Sequence, residues 1–263
     1  MRVVAVVAGA ARGLGEAIAA AFAAEGAPVA LLDVSPEVHA TAARLQATGS
    51  RAEGFVLDVT DHAKVQETAD RIASTLGRVD HIVFAVAVGS GKFGFPFWRL
   101  DPSDWDRVLR INLIGAVNVA HAFAPRLADQ RSGTMLFLAS VAGQIGSQTD
   151  PPYSASKAGV INFAQCAAKD LAPFGVRVNA LNPGMVKTAL NRSVWQSWAD
   201  RQPPESRQTY EEWTAEKIAK LVPLNRWQTP EDIAAMAVFL ASARAANVTG
   251  QTINVDGGYV MHW

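Results

Sequence analysis

A chain of 263 residues can form one large domain or two small ones, and its 49% hydrophobic content is enough to bury a substantial core. Its 24 basic and 24 acidic side chains balance, so there is no electrostatic case for binding nucleic acid or an anionic membrane. A single cysteine excludes an internal disulfide, and the scattered histidines show no metal-ligand spacing, so we expect no metal site.

Short β-branched runs alternate with alanine-rich helical stretches along the whole chain. The predicted order is strand 3–7, helix 15–25, strand 28–32, helix 36–47, strand 52–57, helix 62–76, strand 81–86, a helical region 103–129 in one or two pieces, strand 134–139, helix 153–171, strand 176–181, helix 231–241 and strand 251–255. The longest apolar stretch, 111–125, is broken by Asn112, Asn118 and His121. It falls short of the roughly 18 uninterrupted apolar residues of a membrane span, so we expect a cytoplasmic protein.

This alternation predicts an α/β fold in which helices cover both faces of a parallel sheet. Both faces of each predicted strand are apolar, as such a sheet requires. No flexible linker divides residues 1–263, so we expect a single doubly wound domain. One irregular stretch, residues 187–224, is polar and aromatic, and we call it the insertion. We expect it to form two short helices that act as a lid over the substrate.

A glycine-rich turn joins the first predicted strand to the first predicted helix. It contains Gly9, Arg12, Gly13, Leu14 and Gly15. Glycines permit a tight turn and let the backbone approach a pyrophosphate, and the helix N-terminus attracts its negative charge. The turn alone is a weak signal, but its position between a strand and a helix indicates a dinucleotide site.

Asp33 ends the second predicted strand, where a carboxylate can accept hydrogen bonds from the adenosine ribose. The same charge would repel a 2′-phosphate, so Asp33 favours NAD over NADP. Arg12 argues in the other direction, because a guanidinium can bind that phosphate. Asp58 closes the third strand beside Val59, and it can either contact adenine or cap the next turn.

A chemical site is indicated by Tyr153 and Lys157, which are four residues apart and share one helix face. A nearby ammonium favours the phenolate, so we expect Lys157 to lower the pKa of Tyr153 and make it a general base. Ser140 ends the fifth strand, where it can hydrogen-bond the same substrate oxygen.

Taken in order, these motifs resemble those of the short-chain dehydrogenase/reductase family in its classical form, over essentially the whole chain. They are Gly9, Gly13, Gly15, Asp58, Asn112, Ser140, the Tyr153/Lys157 pair, Asn182-Pro183-Gly184 and Val255-Asp256-Gly257-Gly258. The resemblance implies a Rossmann-type domain, usually assembled as a homotetramer. It also implies a catalytic tetrad of Asn112, Ser140, Tyr153 and Lys157, in which Asn112 holds a water of a proton relay.

The same resemblance implies a set of cofactor contacts beyond the glycine turn. Lys157 would bind the nicotinamide ribose, and Val186 and Thr188 the carboxamide. The full implied set is Gly9, Arg12, Gly13, Leu14, Gly15, Asp33, Asp58, Val59, Ala85, Tyr153, Lys157, Pro183, Gly184, Val186 and Thr188.

Two positions depart from the family pattern. Ala8 replaces the usual threonine, and Phe84-Ala85-Val86-Ala87 replaces the usual Asn-Asn-Ala-Gly. The loss of two amides removes side-chain hydrogen bonds that brace the adenosine side, so we expect an effect on cofactor affinity more than on chemistry.

The leading hypothesis is therefore an NAD-dependent oxidoreductase that moves a hydride between NAD and a secondary alcohol or ketone. A small polyol, sugar or hydroxyketone is the expected substrate. One alternative is an NADPH-dependent 3-oxoacyl-carrier-protein reductase, which Asp33 and the absence of a basic patch disfavour. Another is a catalytically silent NAD-binding member, suggested by the altered residues 84–87.

Overall fold

The parallel sheet is the centre of the fold in the computed structural model, which describes residues 3–261. Within those residues the sheet has seven strands: β1 (Ala5–Ala8), β2 (Val29–Asp33), β3 (Ala52–Val56), β4 (His81–Phe84), β5 (Gly133–Leu138), β6 (Val176–Pro183) and β7 (Thr252–Val255). All neighbouring strands run parallel, in the order β3-β2-β1-β4-β5-β6-β7. The predicted doubly wound parallel sheet is confirmed.

Helices connect the strands. They are α1 (Gly13–Ala24), α2 (Glu37–Ala47), α3 (His62–Leu76), α4 (Pro102–Leu109), α5 (Gly115–Gln130), α6 (Pro151–Leu171), α7 (Ala189–Ala199), α8 (Tyr210–Leu221) and α9 (Pro230–Ala241). A π-helical turn, Arg110–Ile114, joins α4 to α5. Short 3-10 turns lie at Phe97–Arg99, Val141–Gly143, Ala172–Phe174, Pro204–Ser206 and Ala243–Ala245.

Two hydrophobic layers flank the sheet. One packs β1, β4 and β5 side chains against α3, α5 and α6, and the other packs the opposite strand faces against α1, α2 and α9. Helix α3 shows why these sequences form helices. Its buried side chains Val65, Ala69, Ile72 and Leu76 recur at helical spacing, and the Asp61 carboxylate caps its first turn.

The stretch Pro102–Gln130, which combines α4, the π-helical turn and α5, passes a length-and-composition test for a membrane span with a mean hydropathy of 1.2. Half of its most apolar window is buried inside the fold, and the core helix of a folded domain passes the same test. This stretch therefore belongs to the packed layer beside α3 and α6.

The insertion lies between β6 and α9 and contains α7 and α8. Thr188 caps α7, and Thr209 and Glu212 form a reciprocal capping box at the start of α8. These caps set the two helix starts, so residues 200–209 form the break between them.

Candidate active site

A cavity of about 1280 Å³ opens at the carboxyl ends of the strands. Its walls come from the glycine turn after β1, the ends of β4, β5 and β6, the first turns of α6, and both helices of the insertion. This edge of an open parallel sheet is where ligands bind, at the point where the strand order reverses between β1 and β4. The volume exceeds that of a typical drug-sized site, so it leaves room for a dinucleotide and a small substrate together.

The glycine turn forms a cradle that only glycine fits. A Cβ at Gly15 would lie 2.0 Å from the Gly9 carbonyl oxygen, and one at Gly9 would lie 2.8 Å from the Ala85 backbone. Gly13 has φ +64°, a left-handed conformation that glycine adopts at no cost. Gly9, Arg12, Gly13, Leu14 and Gly15 all line the cavity at the start of α1. This arrangement fits a bound pyrophosphate.

Asp33 lies behind this turn and does not line the cavity. Its Oδ2 accepts the Ala11 N–H at 3.0 Å, and its Oδ1 accepts the Ser35 N–H at 2.9 Å. Thr41, which sequence reasoning missed, braces the same turn by donating to the Ala11 carbonyl at 2.8 Å. The structure therefore gives Asp33 a bracing contact in addition to any contact with a ribose.

Asp58 and Val59 also lie outside the cavity wall. The exposed Asp58 carboxylate accepts both the backbone N–H and the hydroxyl of Thr60, each at 2.8 Å, which is a local turn. The Val59 carbonyl accepts from the Asn118 amide at 2.9 Å. These contacts match the alternative in which Asp58 caps the turn after the third strand.

The altered residues 84–87 are held by backbone contacts and not by amide side chains. Phe84 is fully buried, and the Ala85 N–H donates to the Ala8 carbonyl at 2.8 Å. Ala85 and Ala87 line the cavity. The backbone at Ala85 therefore packs against Gly9 without the side-chain amides that the family usually has here.

Asn112 is fully buried in the π-helical turn and does not line the cavity. Its amide oxygen accepts the Val88 N–H at 2.8 Å, while its amide nitrogen donates to the Val88 carbonyl and to Ser156 Oγ, both at 2.9 Å. The side chain thus ties the loop after β4 to α6. These contacts are positioning contacts, and the relay role of Asn112 in the tetrad stays a prediction.

Ser140, Tyr153 and Lys157 do meet on one wall of the cavity. Tyr153 and Lys157 lie on the first turns of α6, and Ser140 follows β5. The buried Lys157 Nζ donates to the Leu138 carbonyl at 2.6 Å and lies 5.6 Å from the centre of the Tyr153 ring. The Ser140 hydroxyl lies close enough to the Tyr153 phenol to oppose a rise in the pKa of that phenol.

The protonation of this pair differs from the expectation that Lys157 lowers the pKa of Tyr153. Burial raises the pKa of Tyr153 to about 12, against the opposing hydrogen bond from Ser140. Burial also lowers the pKa of Lys157 to about 7. Desolvation disfavours both charged forms and is the larger effect here, so the expectation is wrong.

The segment after β6 completes the floor of the cavity. Pro183, Gly184, Val186 and Thr188 all line it, as does Met185, which sequence reasoning missed. A Cβ at Gly184 would lie 2.7 Å from the Asp256 Cα, so only glycine allows this approach. These residues therefore occupy the wall expected for carboxamide contacts.

The far wall of the cavity combines aromatic rings with cations. Phe93, Phe95 and Trp213 face it, and the Lys217 Nζ lies 4.1 Å from the centre of the Trp213 ring. Burial lowers the pKa of Lys217. Arg201 donates to the Phe93 carbonyl at 2.7 Å and to Ser197 Oγ at 2.9 Å, which joins the break in the insertion to the opposite loop.

Sequence comparison gives consistent matches along the chain. A family profile described as enoyl-(acyl carrier protein) reductase matches residues 9–260. A 3-oxoacyl-(acyl-carrier-protein) reductase FabG of Thermotoga maritima is 33% identical over 259 residues, covering 98% of each chain. A D-threitol dehydrogenase of Mycolicibacterium smegmatis is 36% identical over 259 residues, covering 98% of this chain and 93% of that protein.

Solved structures agree with this fold. An NAD⁺-bound xylitol dehydrogenase superposes with a TM-score of 0.89 at 29% identity, covering 97% of this chain and 98% of that one. A gluconate 5-dehydrogenase of Burkholderia cenocepacia, in complex with NADP and tartrate, superposes with a TM-score of 0.86 at 29% identity, covering 98% and 94%.

Proposed function

This chain belongs to the short-chain dehydrogenase/reductase family, and from that membership we propose that it prefers NAD and acts on a small polyol, sugar or hydroxyketone. It is a nicotinamide-dependent oxidoreductase of CH–OH groups. The proposal adds the preferred cofactor, the substrate class and the residues that perform the reaction.

The observation that carries this proposal is the meeting of Ser140, Tyr153 and Lys157 in one cavity with the glycine turn. When bound, the nicotinamide ring supplies or accepts the hydride. Ser140 and the Tyr153 phenol hold the substrate oxygen, and Tyr153 takes the hydroxyl proton during oxidation and returns it during reduction. A Lys157 amine with a pKa near 7 can exchange a proton at neutral pH, which suits it to a relay behind Tyr153.

The preference for NAD is supported by Asp33, whose charge behind the glycine turn opposes a 2′-phosphate. The exposed Arg12 on the cavity wall works against it. Among the similar structures one carries NAD⁺ and another NADP, and the polyol dehydrogenases among the relatives support a small polyhydroxy substrate.

Two alternatives have specific support. The 33% identity to FabG favours a 3-oxoacyl-carrier-protein reductase using NADPH, while the neutral net charge gives no electrostatic argument for an acidic carrier. The altered residues 84–87 favour a silent NAD-binding member, against which stands the Ser140–Tyr153–Lys157 cluster. Quenching of cofactor fluorescence combined with a substrate screen separates these cases.

The organisation of the enzyme extends the proposal. We propose one Rossmann-type domain whose insertion, residues 187–224, acts as a lid. We also propose that the enzyme is cytoplasmic and forms a homotetramer. Sedimentation analysis of the purified protein can test the tetramer.

The decisive experiment is a panel of alcohols and ketones with NAD and NADP, followed by absorbance of the reduced cofactor, with Tyr153→Phe as the matched variant. General acid–base catalysis contributes about 10²–10⁴-fold, so turnover by the variant should fall at least about 10²-fold while cofactor binding changes little. Near-normal turnover by Tyr153→Phe would show that the proposed proton transfer is wrong.

A further inference from the structure

Asp150 is a buried carboxylate in the cavity wall that neither the glycine turn nor the Ser140–Tyr153–Lys157 cluster uses. It precedes Pro151 and Pro152 at the start of α6, three residues before Tyr153, and is only 4% exposed. Its Oδ2 accepts the Ser90 N–H at 2.9 Å. Its Oδ1 is buried and has no hydrogen-bond partner.

A buried acceptor without a donor is costly, because it has lost its water and gained nothing in return. Burial accordingly raises the pKa of Asp150, and the contacts with Ser90 and with the Tyr153 backbone N–H offset only part of that effect. The residue is also within electrostatic reach of the reacting centre, since the Asp150 charge contributes to the raised pKa of Tyr153.

Three cations of the cavity wall, Arg107, Arg201 and Lys217, make their contacts away from Asp150. Arg107 donates to the Gly89 carbonyl at 3.3 Å, and Arg201 donates to the Phe93 carbonyl and Ser197. Lys217 lies over the Trp213 ring. Asp150 therefore lines the cavity with one buried oxygen that no side chain of the described residues satisfies, and a bound substrate can bring the missing donor.

We propose that Asp150 determines substrate specificity by accepting a hydrogen bond from a second substrate hydroxyl, on the carbon next to the one that reacts. Ser140 and Tyr153 hold the first oxygen, and Asp150 lies on the same first turn of α6 as Tyr153. The substrate class is then a vicinal diol in oxidation and an α-hydroxy ketone in reduction. This inference rests on the proposed function.

The chemistry of Asp150 explains why a hydroxyl is selected over a methyl group. A site built to hydrogen-bond a substrate hydroxyl discriminates strongly against the analogue that lacks it, because the buried polar group is then left unpaired. Hydrogen bonds to a charged group contribute enough for about 10- to 100-fold in rate or affinity.

The test compares kcat/KM for 2,3-butanediol and 2-butanol, and in reverse for 3-hydroxy-2-butanone and 2-butanone, in the full-length enzyme. The wild type should favour the hydroxylated member of each pair by at least about 10-fold. Asp150→Ala should remove most of that preference, because kcat/KM for the diol should fall much further than kcat/KM for 2-butanol. Asp150→Asn, which keeps an acceptor oxygen, should restore part of it.

Asp200→Asn is the matched control, because Asp200 is another carboxylate of the cavity wall and accepts from Gln196 at 2.7 Å. It should leave the diol preference unchanged. Thermal unfolding and cofactor binding of each variant separate a folding defect from a change in selectivity. If Asp150→Ala lowers both activities equally, or the wild type has no diol preference, the inference is overturned. Tyr153-dependent oxidation of either alcohol with NAD would still support the cofactor and the proton transfer of the proposed function in that case.

Discussion

The Asp33 side chain braces the glycine turn, because its two oxygens accept hydrogen bonds from the Ala11 and Ser35 N–H groups. A carboxylate oxygen has lone pairs for more than one donor, so the same group can also meet ribose hydroxyls. We therefore expect removal of Asp33 to change both the shape of the glycine turn and the choice of cofactor.

Asp33→Ala should raise the KM for NAD by at least about 10-fold and narrow the preference for NAD over NADP, since charged hydrogen bonds contribute roughly 1.5–3 kcal/mol. Steady-state kinetics with both cofactors measure this change. Asp33→Asn keeps an acceptor for one of the two N–H groups, so its KM for NAD should lie between those of the wild type and Asp33→Ala. Equal efficiency of the wild type with NAD and NADP would show that Arg12 outweighs Asp33.

Motif spacing located the residues whose position follows from the element that carries them. Tyr153 and Lys157 share a helix face, and Ser140 ends a strand beside them, so their meeting is a consequence of the parallel sheet. The orientation of the Asn112 side chain could not be predicted from motif spacing, because it depends on the Val88 backbone, which is distant in sequence. Asp150 was missed because an acid before two prolines has the pattern of a helix start.

At the scale of elements, the approach of α1 to β1 depends on Gly15. A Cβ there would lie 2.0 Å from the Gly9 carbonyl oxygen, and both partners are backbone, which cannot rotate away. The helix start and the cofactor cradle therefore depend on the same glycine.

Gly15→Ala should lower the free energy of unfolding by about 3 kcal/mol or more and abolish cofactor binding, because the helix must move away from the strand. Gly26→Ala is the matched control. Gly26 has φ +81° with open space around it, so alanine should cost only about 1–2 kcal/mol there. Urea unfolding of both variants gives the comparison, and equal losses would contradict the packing argument.

The insertion is fastened to the body by Arg201, whose guanidinium lies 4.7 Å from the centre of the Phe95 ring and donates to the Phe93 carbonyl. We propose that this contact holds the lid near its closed position. The break at residues 200–209 has exposed arginines that a protease can reach.

Arg201→Ala should increase the rate of tryptic cleavage at Arg207 by about 10-fold, since a hydrogen bond and a cation–π contact are lost together. Saturating NAD and alcohol should slow cleavage in the wild type. Arg244→Ala removes a similar contact with Phe239 outside the insertion and should change nothing. A cleavage rate that changes neither with ligand nor with Arg201→Ala would show that the insertion does not move as a lid.

Periodicity predicted most strands and helices to within a few residues, because burial on both sheet faces and on one helix face leaves a regular pattern. The helix His62–Leu76 agrees at both ends, and Asp61 and Gly77 mark those ends in the sequence. The π-helical turn Arg110–Ile114 has no such signal, since one extra residue per turn does not disturb an apolar pattern of this length.

At the scale of the whole molecule, one partly buried histidine, His81, couples folding to pH. Burial lowers the pKa of His81 to about 4, with the Asp80 carboxylate opposing the change. The ring stacks on Phe22, and its Nδ1 is hydrogen-bonded to Thr134 at 2.8 Å. Because the folded state holds the neutral ring more strongly than the unfolded state does, protonation favours unfolding.

The free energy of unfolding should therefore be steady above pH 6.5 and fall by roughly 3 kcal/mol between pH 6.5 and pH 4 through His81 alone. Chemical denaturation across that range measures the slope. His81→Asn should flatten it, whereas His39→Asn, at an exposed position, should leave it unchanged. A slope that survives His81→Asn would assign the acid sensitivity to other groups.

The bond pattern of Asn112 has a consequence for how this sequence can vary. Its amide holds the main chain at Val88 from the side of α6, so this part of the loop after β4 is fixed by a side chain that lies outside the loop. Exchange of a loop side chain leaves that attachment in place, whereas exchange of Asn112 would release the loop from α6.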